Sequence, residues 1–420
     1  MPSTEYLGSK RHLTDGGWTS RGAAMAAGVT IIALTLLNPW TAKARPGHVD
    51  AGTRTVRVSR FTLRSNADVL AMYGHTVVWS SLSPNRKREY LDEADATSFH
   101  PRIVSSVSNP RLHGYQVLAI SGQWIAWSED PWAWRLWAMN RRTDKRQLVA
   151  SSLAMTVEGL FVPVPSLYRS TVLWVPNIHC SLDCFGPRYS AEHWIARLRS
   201  EDLSVKAART IVSAHSPCLL SAPSITANVL VWVQDCVRQP ATRSRMPKQT
   251  ITIFIRNRRT SSITKVTTDP LYDRPTTNGH FVAWVEASAP YGKMRTTAAG
   301  GTLKMLNLAT GKVTLISNRT RPDPTKDCHA GPGAPWTKCD SRPLLLRDSL
   351  VWLANSGTAE KAMGLVSGKT YVLARGRALG APVGSANSQY AAWTCDTDIS
   401  SPPPGSDGVT NRLCAAKIPS

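Results

Sequence analysis

The chain is 420 residues long, 42% hydrophobic, and carries 50 basic against 28 acidic side chains, a formal charge of +22. That balance excludes an acidic disordered chain and a polytopic membrane protein. Trp outnumbers Phe 15 to 6, and 28 Pro with 27 Gly favour short strands and many turns over long helices.

The first element is an apolar stretch from Gly22 through 31–37 to Trp40, preceded by Lys10, Arg11 and Arg21 and followed by Ala42, Lys43 and Ala44. A basic flank, an apolar core and an Ala-x-Ala site form the order of a signal peptide cut after Ala44. A single uncleaved N-terminal membrane anchor is the alternative, since about 18 apolar residues come close to a bilayer span. Residues 1–44 are thus read as leader or anchor, 45–53 as linker and 54–420 as the folded domain. Either reading places that domain outside the cytoplasm, secreted or associated with the cell envelope.

Eight cysteines, an even number, suit an oxidising compartment. They fall into four local pairs: Cys180 with Cys184, Cys218 with Cys236, Cys328 with Cys339, and Cys395 with Cys414. Disulfides are the expected state. Zinc is the rival, because His179 adjoins Cys180 and His329 adjoins Cys328, but the spacings match no standard finger or ribbon. No metal and no cofactor is expected.

From residue 73 onward a short unit recurs: a polar or Gly turn, two or three small or β-branched apolar residues, then Trp. It reads YGHTVVWSS at 73–81, SGQWIAWSED at 121–130 and TANVLVWVQD at 226–235. Its Trp positions are 79, 127, 174, 232, 284, 352 and 393, spaced by 48, 47, 58, 52, 68 and 41 residues. That period fits one four-stranded sheet per unit. Hairpin signals follow each Trp strand, as in LKMLNLATGKVTLISN from Leu303, where 307–311 supplies turn residues that tolerate positive φ.

The expected fold is all-β, a β-propeller of about seven four-stranded blades. The last unit lacks an outer strand, whereas RTVRVSRFTL at 54–63 is an orphan strand near the start. Pairing the two closes the ring and removes open sheet edges. Residues 82–110 show no clear third strand, so six or eight blades remain alternatives. The Trp-strand and hairpin pattern over 54–420 resembles the TolB-like or WD40-like bacterial β-propeller repeats. It departs from TolB in lacking the Ser-Pro-Asp-Gly turn and a preceding α/β domain. The resemblance implies an extracytoplasmic scaffold that binds a ligand or a protein.

The repeated Trp residues read as packing between sheets. Trp132, Trp134 and Trp137 lie outside the repeat position, where local packing or an aromatic platform for a flat ligand are the two readings. Residues two or three beyond each repeat Trp, with the entries to the inner strands, should ring one mouth of the channel. The candidate ligand-binding residues are therefore Glu129, Asp130, Asn177, Asp235, Arg274, Glu286, Arg342, Asn355 and Asp396. Turn capping is the plain alternative for them.

Removing 1–44 lowers the charge only to +20, and basic runs stand at 141–146, 238–248 and 256–259. Such charge favours acidic polymers or an anionic surface. Export and the lack of a nucleic-acid motif argue against a dedicated nucleic-acid partner. No catalytic signature appears, neither G-x-S-x-G, nor H-E-x-x-H, nor a P-loop. The expected protein is a monomeric, basic, non-catalytic binding module for an anionic polysaccharide or an envelope protein. The alternative is a glycosidase or lyase using acids at the mouth, with no catalytic residue assigned.

Overall fold

The computed structural model describes residues 56, 58–63, 67–83, 85, 87–108, 115–129, 134–151, 163–176, 195–239, 248–268, 275–287, 301–317, 343–354, 359–375, 382–395 and 412–420. The leader, the linker, Trp132, Cys180, Cys184, Cys328 and Cys339 lie outside them. Among the described residues no helix is long and apolar enough to cross a membrane.

Seven antiparallel sheets form the blades. The first holds β2 (Ala67–Tyr73), β3 (Thr76–Leu82), β4 (Arg88–Asp95) and β5 (Arg102–Ser108). The second holds β6 (Tyr115–Ser121), β7 (Trp124–Glu129), β8 (Arg135–Asn140) and β9 (Lys145–Ser151). Blade three comprises β10 (Ser166–Tyr168), β11 (Thr171–Trp174), β12 (Ile195–Asp202) and β13 (Ala207–His215). Blade four comprises β14 (Cys218–Ile225), β15 (Val229–Gln239), β16 (Lys248–Asn257) and β17 (Ile263–Thr268). In blade five β18 (Thr276–Thr277), β19 (Phe281–Ala287), β20 (Gly301–Asn307) and β21 (Val313–Ser317) follow in the same order. Blade six repeats it with β22 (Leu344–Leu345), β23 (Ser349–Ala354), β24 (Ala359–Gly364) and β25 (Thr370–Arg375).

The seventh blade is made from both ends of the domain. β26 (Tyr390–Thr394) and β27 (Arg412–Lys417) are joined by β1 (Val58–Thr62), which pairs antiparallel with β27 from Val58–Ala416 to Thr62–Arg412. A bridge from Val383 to Ala392 adds the innermost contact. The orphan strand thus closes the ring as its sequence implies. The first blade corrects one expectation: 88–95 and 102–108 are its third and fourth strands, and the count is seven. The third strand, REYLDEAD, hides from a hydropathy reading because its interior positions include Glu89 and Glu93, which are 4% and 7% exposed.

Each pair of neighbouring blades encloses one apolar cluster, including the pair formed by blades seven and one. The seven repeat Trp residues lie in these clusters, each turned toward the preceding blade, and none is more than 7% exposed. Burying an indole of that size contributes on the order of 3 kcal/mol. Trp134 is buried between blades two and three and forms no aromatic platform, and Trp137 is half-buried against the cluster of blades one and two.

One position breaks the pattern. The residue before the third-strand partner of each repeat Trp is Leu91, Leu136, Leu198, Ile253, Leu303 or Leu413 in six blades, all at most 3% exposed. In blade six it is Glu360, fully buried, with neither carboxyl oxygen hydrogen-bonded among the described residues.

The two ends of the blades differ. At one end the first strand turns into the second, and in blades one to six the third into the fourth, over a few residues. There the N–H after each third strand donates to the carbonyl before the second: Ala96 to His75, Arg141 to Gln123, Leu203 to Ser170, Arg258 to Asn228, Leu308 to His280, Leu365 to Asp348 and Ile418 to Gln389, all at 2.6–2.9 Å. Asx side chains at the strand ends cap the turns, Asn257 Oδ1 accepting from Arg259 N–H and Asn307 Oδ1 from Ala309 N–H, both at 2.9 Å. The other end carries the long connections, among them 152–165, 175–194, 318–343 and 395–411.

Candidate functional site

Three of the nine candidate residues fall among the described ones, Glu129, Asp235 and Glu286; Asp130, Asn177, Arg274, Arg342, Asn355 and Asp396 lie outside them. All three stand at the long-connection ends of second strands, in blades two, four and five. Strand alternation separates them. Glu129 and Glu286 follow their Trp by two residues and share its side, toward the preceding blade. Asp235 follows by three and shares the side of Val231 and Val233, which pack against blade five.

Their chemistry differs accordingly. Glu129 accepts the Trp127 indole N–H at 2.7 Å, and burial raises its carboxyl above the ordinary range despite that bond and the charges of Arg135 and Arg146. Glu286, 6% exposed, accepts the Trp284 indole N–H at 3.0 Å and pairs with Lys304 Nζ at 2.5 Å. Asp235 has neither kind of partner among the described residues for its buried Oδ1, and burial pushes its carboxyl up to about 6. It is cross-strand to Leu219 and Ile251, beside the Cys218–Cys236 disulfide. A carboxyl in that state donates a hydrogen bond or a proton under mildly acidic conditions. No group of three or more His, Cys, Asp or Glu suited to a metal occurs among the described residues.

The opposite, tight-turn end holds a network across two blades. Arg141, just beyond β8, places Nε 2.8 Å from Glu93 Oε2 and donates through Nη2 to Glu93 Oε1 and Thr76 Oγ1, both at 3.2 Å. Its Nη1 donates to the Gly122 carbonyl at 2.6 Å. Arg102 on β5 adds a second guanidinium 3.0 Å from Glu93 Oε1. Desolvation works against the Glu93 charge, but the hydrogen bonds and charges of Arg141 and Arg102 outweigh it and hold the carboxyl below its ordinary range. Glu93 and Arg141 stand 48 residues apart, so no local window shows the contact between blades. The available signal is Asn-Arg-Arg-Thr at 140–143, which recurs at 257–260.

Fold and surface define a disulfide-bonded, basic seven-bladed β-propeller. No protein-family model and no curated protein matches the chain. Among solved structures it is similar to an oligogalacturonate lyase from Vibrio parahaemolyticus, with a TM-score of 0.50 at 11% identity over 87% of this chain and 97% of that one. It is also similar to the β-propeller domain of the Trilobed protease from Pyrococcus furiosus, with a TM-score of 0.48 at 11% identity over 78% and 90%. Identities this low speak for the fold alone.

Proposed function

We propose that this protein is an extracytoplasmic, TolB-like propeller that binds an anionic glycopolymer of the cell envelope without altering it. The observation that carries the reading is the division of charge. Two interior carboxylates are consumed within the frame, Glu93 by two arginines and Glu286 by Lys304. Cations such as Arg142, Lys145, Arg146, Arg259, Lys312 and Lys369 stay exposed. The two disulfides among the described residues, Cys218–Cys236 and Cys395–Cys414, are compatible with an oxidising compartment.

The test is binding of the full chain to anionic and neutral polysaccharides over a salt series. Affinity for the anionic polymer that falls steeply with salt, and that drops when Arg142, Lys145 and Arg146 are changed to Gln, supports the reading. Equal affinity for the neutral polymer removes it.

A second reading, a glycosidase or lyase acting at the long-connection end, rests on Asp235 alone. Release of reducing ends or unsaturated product, lost in Asp235→Asn, would establish it.

A further inference from the structure

The tight-turn end of the interface between blades three and four repeats that of blades one and two, with the acid exchanged. In the first blade Glu93 lies opposite Val78 on β3 and Arg102 on β5; in the third, Ser200 lies opposite Leu173 on β11 and Arg209 on β13. Both follow the third-strand partner of the repeat Trp by one residue, Asp92 for Trp79 and Arg199 for Trp174. Both point toward the next blade, on the side of Leu91 and Leu198. Across each interface stands the matching arginine. Like Arg141 with Gly122, Arg258 donates through Nη1 to the turn carbonyls of Thr226 at 2.6 Å and Ala227 at 3.2 Å.

The arginine pair has therefore been kept and its carboxylate has not. Ser200, 3% exposed, offers a hydroxyl where Glu93 offers a charge. A third cation is added: Arg169 occupies the turn position of Gly74 and adopts the same left-handed backbone, φ 53° against 60°. A non-glycine residue there carries backbone strain. The guanidinium carbons of Arg169 and Arg258 lie 5.6 and 5.7 Å from the centroid of the Tyr168 ring. Burial holds Arg258 below the ordinary arginine range, and the charge of Arg209 adds to that effect.

Neighbouring acids are engaged elsewhere. Asp202 accepts the Ser204 N–H at 2.9 Å and its hydroxyl at 2.6 Å, and Glu201 lies on the other side of β12. Among the described residues no carboxylate pairs with Arg169, Arg209 or Arg258.

We propose that this end of the interface between blades three and four is an oxyanion site. There a carboxylate or phosphate of a ligand takes the place that the Glu93 carboxylate holds between blades one and two, clasped by Arg209 and Arg258 beside Arg169 and Tyr168. Guanidinium groups in pairs suit such planar or tetrahedral anions, which they bind through two parallel hydrogen bonds.

The test is calorimetric titration of the full chain with inorganic phosphate and, separately, acetate, at about 0.15 M ionic strength. Saturable one-to-one binding is expected. Ser200→Glu should weaken it at least about tenfold by supplying the missing carboxylate from within. Arg209→Gln, at an exposed position, should weaken it similarly without disturbing the core, whereas Arg60→Gln, exposed on β1 in blade seven, should leave it unchanged. Preference for phosphate or for acetate identifies which oxyanion the site takes. Absence of saturable binding by either anion, or binding that survives both Ser200→Glu and Arg209→Gln, overturns the proposal. The outcome is separable from polymer binding: phosphate binding without polymer binding leaves the site standing, and polymer binding without it removes the site alone.

Discussion

Arg60 and Cys414 are register partners across the seam between β1 and β27, and Cys414 is disulfide-bonded to Cys395 just past β26. Three strands of the closing blade are thereby tied at one level. Changing both cysteines to Ser should cost about 3 kcal/mol, the chain-entropy value for a closed loop of this size. Denaturant unfolding followed by Trp fluorescence measures it, and an unchanged midpoint would remove the disulfide from the account of the seam.

Glu360 should make the protein less stable as pH rises. Burial raises its carboxyl well above the usual value, so the folded state holds a proton that the unfolded chain gives up near pH 4.5. Stability from this group is full below that pH and is lost as pH climbs toward the folded-state pKa, at up to about 1.4 kcal/mol per unit. Glu360→Leu, which installs the residue found in five of the other six blades, should raise the neutral-pH melting temperature and flatten that dependence. A lower melting temperature for the variant would show that the carboxyl is satisfied.

Glu93 acts in the opposite sense. Its carboxyl is held below the ordinary range, so its contribution is present above about pH 4.5 and is lost as pH falls through the depressed value. Glu93→Ala should cost about 3 kcal/mol, because Arg141 and Arg102 would face each other without a counter-charge. Urea unfolding at neutral pH checks the magnitude, and the gap between variant and parent should shrink in acid.

Gly384 tests the inner rim of the closing blade. A Cβ there would stand 2.7 Å from Leu346 Cδ2 and 2.9 Å from the Tyr390 carbonyl oxygen, beside the Val383–Ala392 bridge. A backbone oxygen cannot rotate away, so Gly384→Ala should cost about 1–3 kcal/mol. Gly122→Ala, where a Cβ meets nothing within 4 Å but φ is 56°, carries backbone strain alone and should cost less.

The architecture was legible in the sequence because its determinant is one large side chain at a fixed place in each blade. Trp79 to Trp393 mark the second strands, and the orphan strand marks the seam. The strand at 88–95 was not legible, since Glu89 and Glu93 are buried but satisfied from the next blade, Glu89 by the Tyr115 N–H at 3.0 Å and Glu93 by Arg141. Of the mouth residues, the sequence placed Glu129, Asp235 and Glu286 at one end of their strands. It did not show that alternation turns Asp235 away from the side shared by Glu129 and Glu286. The exchange of Glu93 for Ser200 was out of reach for another reason: it becomes visible only when residues of different blades are superposed by register.

The uneven ends of the blades bear on how such a chain can be altered. One rim is stitched by a hydrogen bond repeated in all seven blades, so a length change there would misalign a whole sheet. At the other end of the blades, 175–194 and 318–343 link strands whose pairing is already set, so changes of length there should leave the frame alone. Engineering a new specificity should therefore start on that side.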